Sequence, residues 1–156
     1  MKKISAGLIP FRWVNNEIEF LLAHPGGPFY KNKDQGAWSI VKGEVDGTED
    51  LFETAKREFQ EETGFDPAGT FIELGTIRQK SGKTVYAWAF DMNYDLKNGF
   101  ICNQVSIEWP PKTGKFISIP EIDQLQYFTL EQASQKINEA QKAFLDRLTG
   151  ILKSDQ

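Results

Sequence analysis

Residues Gly43–Phe65 read GEVDGTEDLFETAKREFQEETGF. These 23 residues hold six glutamates and two aspartates against Lys56 and Arg57, a net charge of −6. The chain as a whole has 18 basic and 22 acidic residues in 156, which leaves 16 basic and 14 acidic side chains elsewhere. All of its negative excess is therefore carried by one segment. Gly43 to Gly47 reads as a turn. Thr48 is an N-cap candidate, and Glu49 and Asp50 suit the positive end of a helix dipole. The helix is expected to run to about Thr63, with Gly64 ending it. Leu51, Phe52, Ala55, Phe59 and Thr63 fall on one side of it and would pack on a sheet.

The acids on this helix are of two kinds. Glu49, Glu53 and Arg57 stand at i, i+4 spacing, where a solvated salt-bridge ladder is the ordinary reading. Glu58, Glu61 and Glu62 share a face at spacings of three and four, and no residue at helical spacing neutralises all three. Like charges so placed cost a helix a few tenths of a kcal/mol each, about 0.2–0.5. A divalent cation would reverse that cost, and carboxylate oxygens suit Mg²⁺ or Mn²⁺. A solvated charged face is the commoner meaning of an acidic run, and the glutamates alone do not exclude it.

The flanking residues add a more specific signal. Gly43, Glu49, Arg57-Glu58, Phe59, Glu61-Glu62, Gly64 and Phe65 fit the pattern G-x5-E-x7-R-E-U-x-E-E-x-G-U at every defined position, U being apolar. This resembles the box of the Nudix hydrolases. The resemblance implies an α+β fold, a Nudix-type α/β/α sandwich in which a mixed β-sheet lies between helices. It implies hydrolysis of nucleoside diphosphates linked to a further group X, with Mg²⁺ or Mn²⁺. By the same resemblance Glu58, Glu61 and Glu62 carry the metals, and a backbone carbonyl at or beside Gly43 adds an oxygen ligand. Glu49 and Arg57 would pair and hold the box loop against the helix. Glu61, Glu62 or a glutamate outside the box would be the base. The lead-in GAWSIVKGE is similar to the family's W-S-[LI]-P-K-G-E, with Val41 in place of the proline. Together SAGLIPFR, HPGGPFYKNKDQGAWSI, EWPPKTGK and AFLDRL resemble a bacterial subgroup of predicted NTP pyrophosphohydrolases.

On the N-terminal side of the box, Ile4 to Arg12 and Ile18 to His24 read as strands joined by Asn15-Asn16, a hairpin-turn pair. Pro25 to Ala37 is a loop carrying Lys31 and Lys33, and Trp38 to Val41 a short buried strand. Gly75 to Gln79 and Thr84 to Asp91 form a hairpin around Ser81-Gly82. Within its second arm Val85, Ala87 and Ala89 alternate with Tyr86, Trp88 and Phe90. Phe100 to Ile107 is a further strand candidate and Trp109 to Gly114 a loop. Thr129 opens a last helix with Gln132 at the capping-box position, and that helix is expected to end near Thr149-Gly150.

Outside the box, Glu108 is the first candidate for a further metal ligand or base, and Glu121 and Asp123 rank below it. Lys42 and Arg78 are the foremost phosphate contacts, and Tyr30 is the candidate for stacking on a base. His24, the only histidine, reads as structural. The lone Cys102 excludes an intrachain disulfide and makes a reduced, cytoplasmic setting the default. The length suits one domain over residues 1–156. No apolar run is long enough to cross a bilayer, and MKKISAGLIPFRW is broken too early by Pro10 and Arg12 to be a signal peptide. A formal charge of −4 argues against a stable nucleic-acid partner. The expected partner is a nucleotide substrate, with nucleoside triphosphates or dinucleoside polyphosphates foremost, and a homodimer is compatible with the sequence. The contrasting reading is a non-catalytic module of the same fold that senses a nucleotide. An isomerase on this scaffold would need a proton-transfer group that Cys102 supplies poorly.

Overall fold

The computed structural model describes residues 3–154. Met1, Lys2, Asp155 and Gln156, including the first of the two N-terminal lysines, lie outside the described residues. β1 (Ile4–Val14) and β2 (Glu17–Pro25) form an antiparallel hairpin in which Asn15 and Asn16 both take positive φ, 52° and 66°. Asparagine tolerates that conformation, and it matches the strand twist. β3 (Val41–Glu44) is followed by α1 (Leu51–Thr63), and β4 (Phe71–Arg78) and β5 (Thr84–Asp91) form the second hairpin. β6 (Gln104–Glu108) and β7 (Phe116–Pro120) make a separate two-stranded ribbon. β8 (Ile122–Thr129) leads into α2 (Leu130–Lys136), a 3-10 turn (Glu139–Gln141) and α3 (Lys142–Ser154).

Among the described residues the main sheet has six strands in the order β4-β5-β1-β2-β8, with β3 paired to β1. β1 runs parallel to β5 and antiparallel to its other partners. Its first half, Ser5–Leu8, pairs with β3, and its second half, Phe11–Val14, pairs with β2. Both faces of the sheet are covered. Ile9, Phe11, Phe20, Leu22, Val85 and Ala87 pack toward Phe144, Leu145 and Leu148 of α3. Ala6, Leu8, Leu21, Ala23 and Phe90 pack toward Ala55 and Phe59 of α1. Burial on both faces is why β1 and β5 read as apolar at nearly every position. The sheet is mixed and lies between helices, the α+β arrangement expected from the sequence. No helix among the described residues is long and apolar enough to cross a membrane.

Several expectations are corrected. β3 runs over Val41–Glu44, so Gly43 lies within a strand and not in a turn. Trp38 and Ser39 make only isolated bridges, to Ile137 and Ala23. The N-cap of α1 is Asp50, not Thr48: its carboxylate accepts from the Glu53 amide at 3.1 Å. The strand expected over Phe100 to Ile107 starts only at Gln104, and its partner β7 was not foreseen. The last helix does begin with a capping box at Thr129 and Gln132, but it is not continuous. The Trp38 amide donates to the Lys136 carbonyl, and the Asn138 amide donates to the Trp38 carbonyl. That pairing holds Ile137 extended (φ −74°, ψ 148°) and ends α2.

Candidate active site

The site is assembled where β3 meets α1. Gly43 lies opposite Ala6 of β1, and Glu58 projects across it from the helix. A Cβ on Gly43 would fall inside the Glu58 carboxylate. Glycine is thus required here to let a carboxylate lie against the strand backbone. Burial pushes the Glu58 carboxyl up, and neighbouring Arg57 opposes that shift.

Arg57 organises the approach to the helix. Its Nε donates to Glu49 Oε2 at 2.9 Å and its Nη2 to Glu49 Oε1 at 2.8 Å, a bidentate pair. Glu49 precedes the helix, so the expected ladder at i, i+4 does not exist. Glu53 pairs with Lys56 instead. The two bonds from Arg57, with one from the Thr54 hydroxyl, lower the Glu49 carboxyl to about 2. The Nη1 of Arg57 also reaches Glu58 at 3.1 Å and Glu61 at 3.1 Å. One guanidinium thus gathers three of the box carboxylates.

The face formed by Glu58, Glu61 and Glu62 grades from water to core. The Glu61 side chain is 40% exposed and that of Glu58 16%, whereas Glu62 is 2% exposed. Glu62 Oε2 is buried without a hydrogen-bond partner, and the Asn103 amide reaches Glu62 Oε1 only at 3.5 Å. Beside it lies Glu121, just before β8. Burial, then the neighbouring Glu121, push the Glu62 carboxyl well above the usual carboxylate range. Pro25, Ile40, Lys42, Glu62 and Glu121 line a cavity of about 120 Å³.

The other candidates are dispersed. Lys42 borders the cavity, but strand alternation turns its Cβ to the opposite face from Gly43, toward Gly7 and Ile40. Burial, then the charge of Lys83, lower its amine. Tyr30 lies in the loop after β2, its ring 4.9 Å from that of Phe29. Arg78 ends β4 and lines a separate cavity of about 640 Å³ with Lys80 and Asn138. Glu108 accepts from the amides of Lys112 (3.2 Å) and Gly114 (2.9 Å), so its oxygens close the β6–β7 turn. Glu121, ranked below Glu108 in the sequence, is the outside acid that the fold brings to the box. Only the β2–β8 pairing, which sets Pro25 against Ile122, could have revealed this. Among the described residues, no three Asp, Glu, His or Cys side chains already converge as a metal site. The unpartnered Glu62 oxygen and the bare backbone at Gly43 are nonetheless the kind of donors a hard cation takes.

A rat bis(5′-nucleosyl)-tetraphosphatase (asymmetrical) is 34% identical over 90 residues, which cover 53% of this chain and 57% of that protein. The chain thus spans little more than half the length of that relative. A Caenorhabditis elegans Ap4A hydrolase in a binary complex has the same fold, with a TM-score of 0.65 and 22% identity over 97% of this chain and 98% of its own. The NUDIX domain of Shewanella oneidensis NrtR, complexed with ADP ribose, superposes with a TM-score of 0.66 and 17% identity over 97% of this chain and 89% of that one. The NUDIX domain family model matches residues 1–148, and the chain belongs to that family.

Proposed function

We propose that this protein hydrolyses a phosphoanhydride bond of a nucleoside diphosphate linked to a group X, with dinucleoside polyphosphates and nucleoside triphosphates as the foremost substrates. The observation that carries this reading is the contact of Glu58 with Gly43 beside the buried Glu62, which has one unpartnered oxygen and the half-buried Glu121 as its neighbour. The rat tetraphosphatase, similar over part of its length, favours dinucleoside polyphosphates.

Glu58, Glu61 and Glu62 would hold Mg²⁺ or Mn²⁺, with a main-chain oxygen at Gly43. A cation bound there would screen the pyrophosphate charge and acidify water. The chain's own residues do the rest. Arg57 fixes the directions of Glu58 and Glu61 from one anchor, Glu49. Burial and the neighbouring Glu121 raise the Glu62 carboxyl, which would let Glu62 take up or give away a proton in a confined cavity. Lys42, Arg78 and Tyr30 are retained as substrate contacts and Glu108 as an additional ligand, each to be tested by substitution. The protein is placed in the cytoplasm, with no membrane and no stable nucleic-acid partner, and a homodimer fits this reading.

The test is a panel of nucleoside triphosphates, oxidised purine triphosphates, diadenosine polyphosphates, ADP-ribose and nucleotide sugars, with Mg²⁺ and then Mn²⁺. Products are resolved by chromatography. Turnover should require metal and fall at least about a hundredfold in Glu61→Gln. The NrtR domain bound to ADP ribose supports the second reading, a nucleotide-sensing module. Nucleotide binding with no turnover on any substrate or metal, equal in wild type and mutant, would establish that reading and overturn the first.

A further inference from the structure

The β6–β7 ribbon has two unlike faces. Its register pairs Val105 with Ile119 and Ile107 with Ile117, so four branched apolar side chains share one face. Val105, Ile107 and Ile119 are half-buried, and Ile117 is 37% exposed. None of the four packs into either core. The opposite face, with Gln104, Ser106 and Ser118, lies open to water.

The apolar face leads to the acids. The Glu121 amide donates to the Asn103 carbonyl at 3.0 Å, which carries the ladder one step beyond β6 and β7. Alternation then sets Asn103 and Glu121 on the same face as Val105 and Ile119, and both lie beside Glu62. The loop after β2 is pressed onto this end of the ribbon. A Cβ on Gly26 would collide with the Pro120 carbonyl, and one on Gly27 with the end of the Ile119 side chain. Two residues further on, Phe29 meets Tyr30 edge-on at 4.9 Å, and the Lys33 ammonium stands 3.5 Å from the centre of its ring. The Phe29 ring is still 55% exposed.

We propose that the apolar face of the ribbon and the Phe29 ring together seat the base of the nucleotide, with its phosphates passing Lys33 toward Glu62 and Glu121. The occupant follows from the order of the surfaces. An apolar strip, an ammonium and a set of carboxylates succeed one another as base, phosphate and cation do in a metal-bound nucleotide. The proposal rests on the function proposed above and adds a specificity to it. The side chains of Phe29, Val105, Ile107, Ile117 and Ile119 neither donate nor accept hydrogen bonds. The base is therefore held by its flat face, which every base offers, and is not read at its edge. Sites that read a polar edge reject the wrong substrate by roughly 10⁴–10⁵. This one should keep the four common bases within about a hundredfold of one another.

The experiment is ¹³C-methyl NMR of the isoleucine-labelled full chain, titrated with AMP and separately with ribose 5-phosphate, which has the phosphate and no base. AMP should shift the Ile117 and Ile119 methyls through its ring current, and ribose 5-phosphate should not. Phe29→Ala and Ile117→Asp should each weaken AMP binding about tenfold, the weight of one stacking contact. In turnover the loss should fall on KM with little change in kcat, and Phe29→Trp should keep the wild-type KM. Isoleucine methyls indifferent to AMP, or shifted alike by ribose 5-phosphate, would overturn the proposal. So would a preference above a hundredfold for one base. Shifts that follow protein concentration and not AMP would make the strip a contact between copies of the chain and overturn it too. Metal-dependent turnover with silent isoleucines would overturn the seat and leave the hydrolase standing. AMP-dependent shifts with no turnover on any substrate would overturn the hydrolase and leave the seat.

Discussion

At Gly43 the missing side chain makes room for a neighbour: Glu58 occupies the place where a Cβ would stand. Gly43→Ala must displace that carboxylate or the strand. It should cost about 1–3 kcal/mol of stability, the usual price of overpacking, and it should weaken metal affinity as measured by calorimetry. Unaltered affinity would mean that Glu58 works from another position. Glu49 makes a separate prediction. Its carboxyl falls from 4.5 to about 2 in the folded protein through the bonds from Arg57 and Thr54. A lowered acid stabilises the fold above its unfolded pKa, and that contribution is lost as pH falls toward the folded value. Wild type should therefore lose stability on acidification from about pH 4 downward more steeply than Glu49→Gln, in denaturant titrations repeated across that range. Equal slopes would show that the Glu49–Arg57 pair does not stabilise the fold.

The elements show what a single sequence could and could not reveal. The β1–β2 and β4–β5 hairpins and the body of α1 were legible because alternation, the Asn15-Asn16 turn and the Gly64 stop are local signals. The last helix was misread because Ile137, Phe144, Leu145 and Leu148 are all buried and no sequence signal separates Ile137 from the rest. The break comes from pairing with Trp38, far upstream. β7 was missed because its ribbon packs on no core face, and Phe116 is 65% exposed. Within the site, the box acids could be named from spacing, but Glu121 required the partner strand. The broken helix also has a testable weak point. Asn138 Oδ1 accepts from the Ala140 amide at 3.1 Å and caps the 3-10 turn. Asn138→Ala should lower unfolding stability by about 1 kcal/mol, read from the urea midpoint at constant slope. No change would assign the break to the Trp38 bridge alone.

For the molecule as a whole, sandwiching the sheet between two cores buries one end of the acidic segment, and the consequence is a conflict between stability and chemistry. Arg57 offsets Glu49, Glu58 and Glu61, but Glu62 enters the interior beside Glu121 with an oxygen unpartnered. The folded protein holds a proton there more tightly than the unfolded chain does. A raised folded pKa gives stability that is complete below the unfolded value and lost as pH climbs through the folded one. Without divalent metal, thermal stability should therefore decline as pH rises through neutrality and beyond. Glu121→Gln removes one of the two competing charges. It should raise metal-free stability at alkaline pH by on the order of 1–2 kcal/mol while lowering turnover. Saturating Mg²⁺ should reverse the order, because a ligand that binds the native state stabilises it by mass action and wild type keeps both carboxylates. Thermal melts of the two proteins, in chelator and in Mg²⁺ across this pH range, decide the point. If Glu121→Gln is the less stable protein in chelator as well, Glu121 supports the fold and its charge does not oppose that of Glu62.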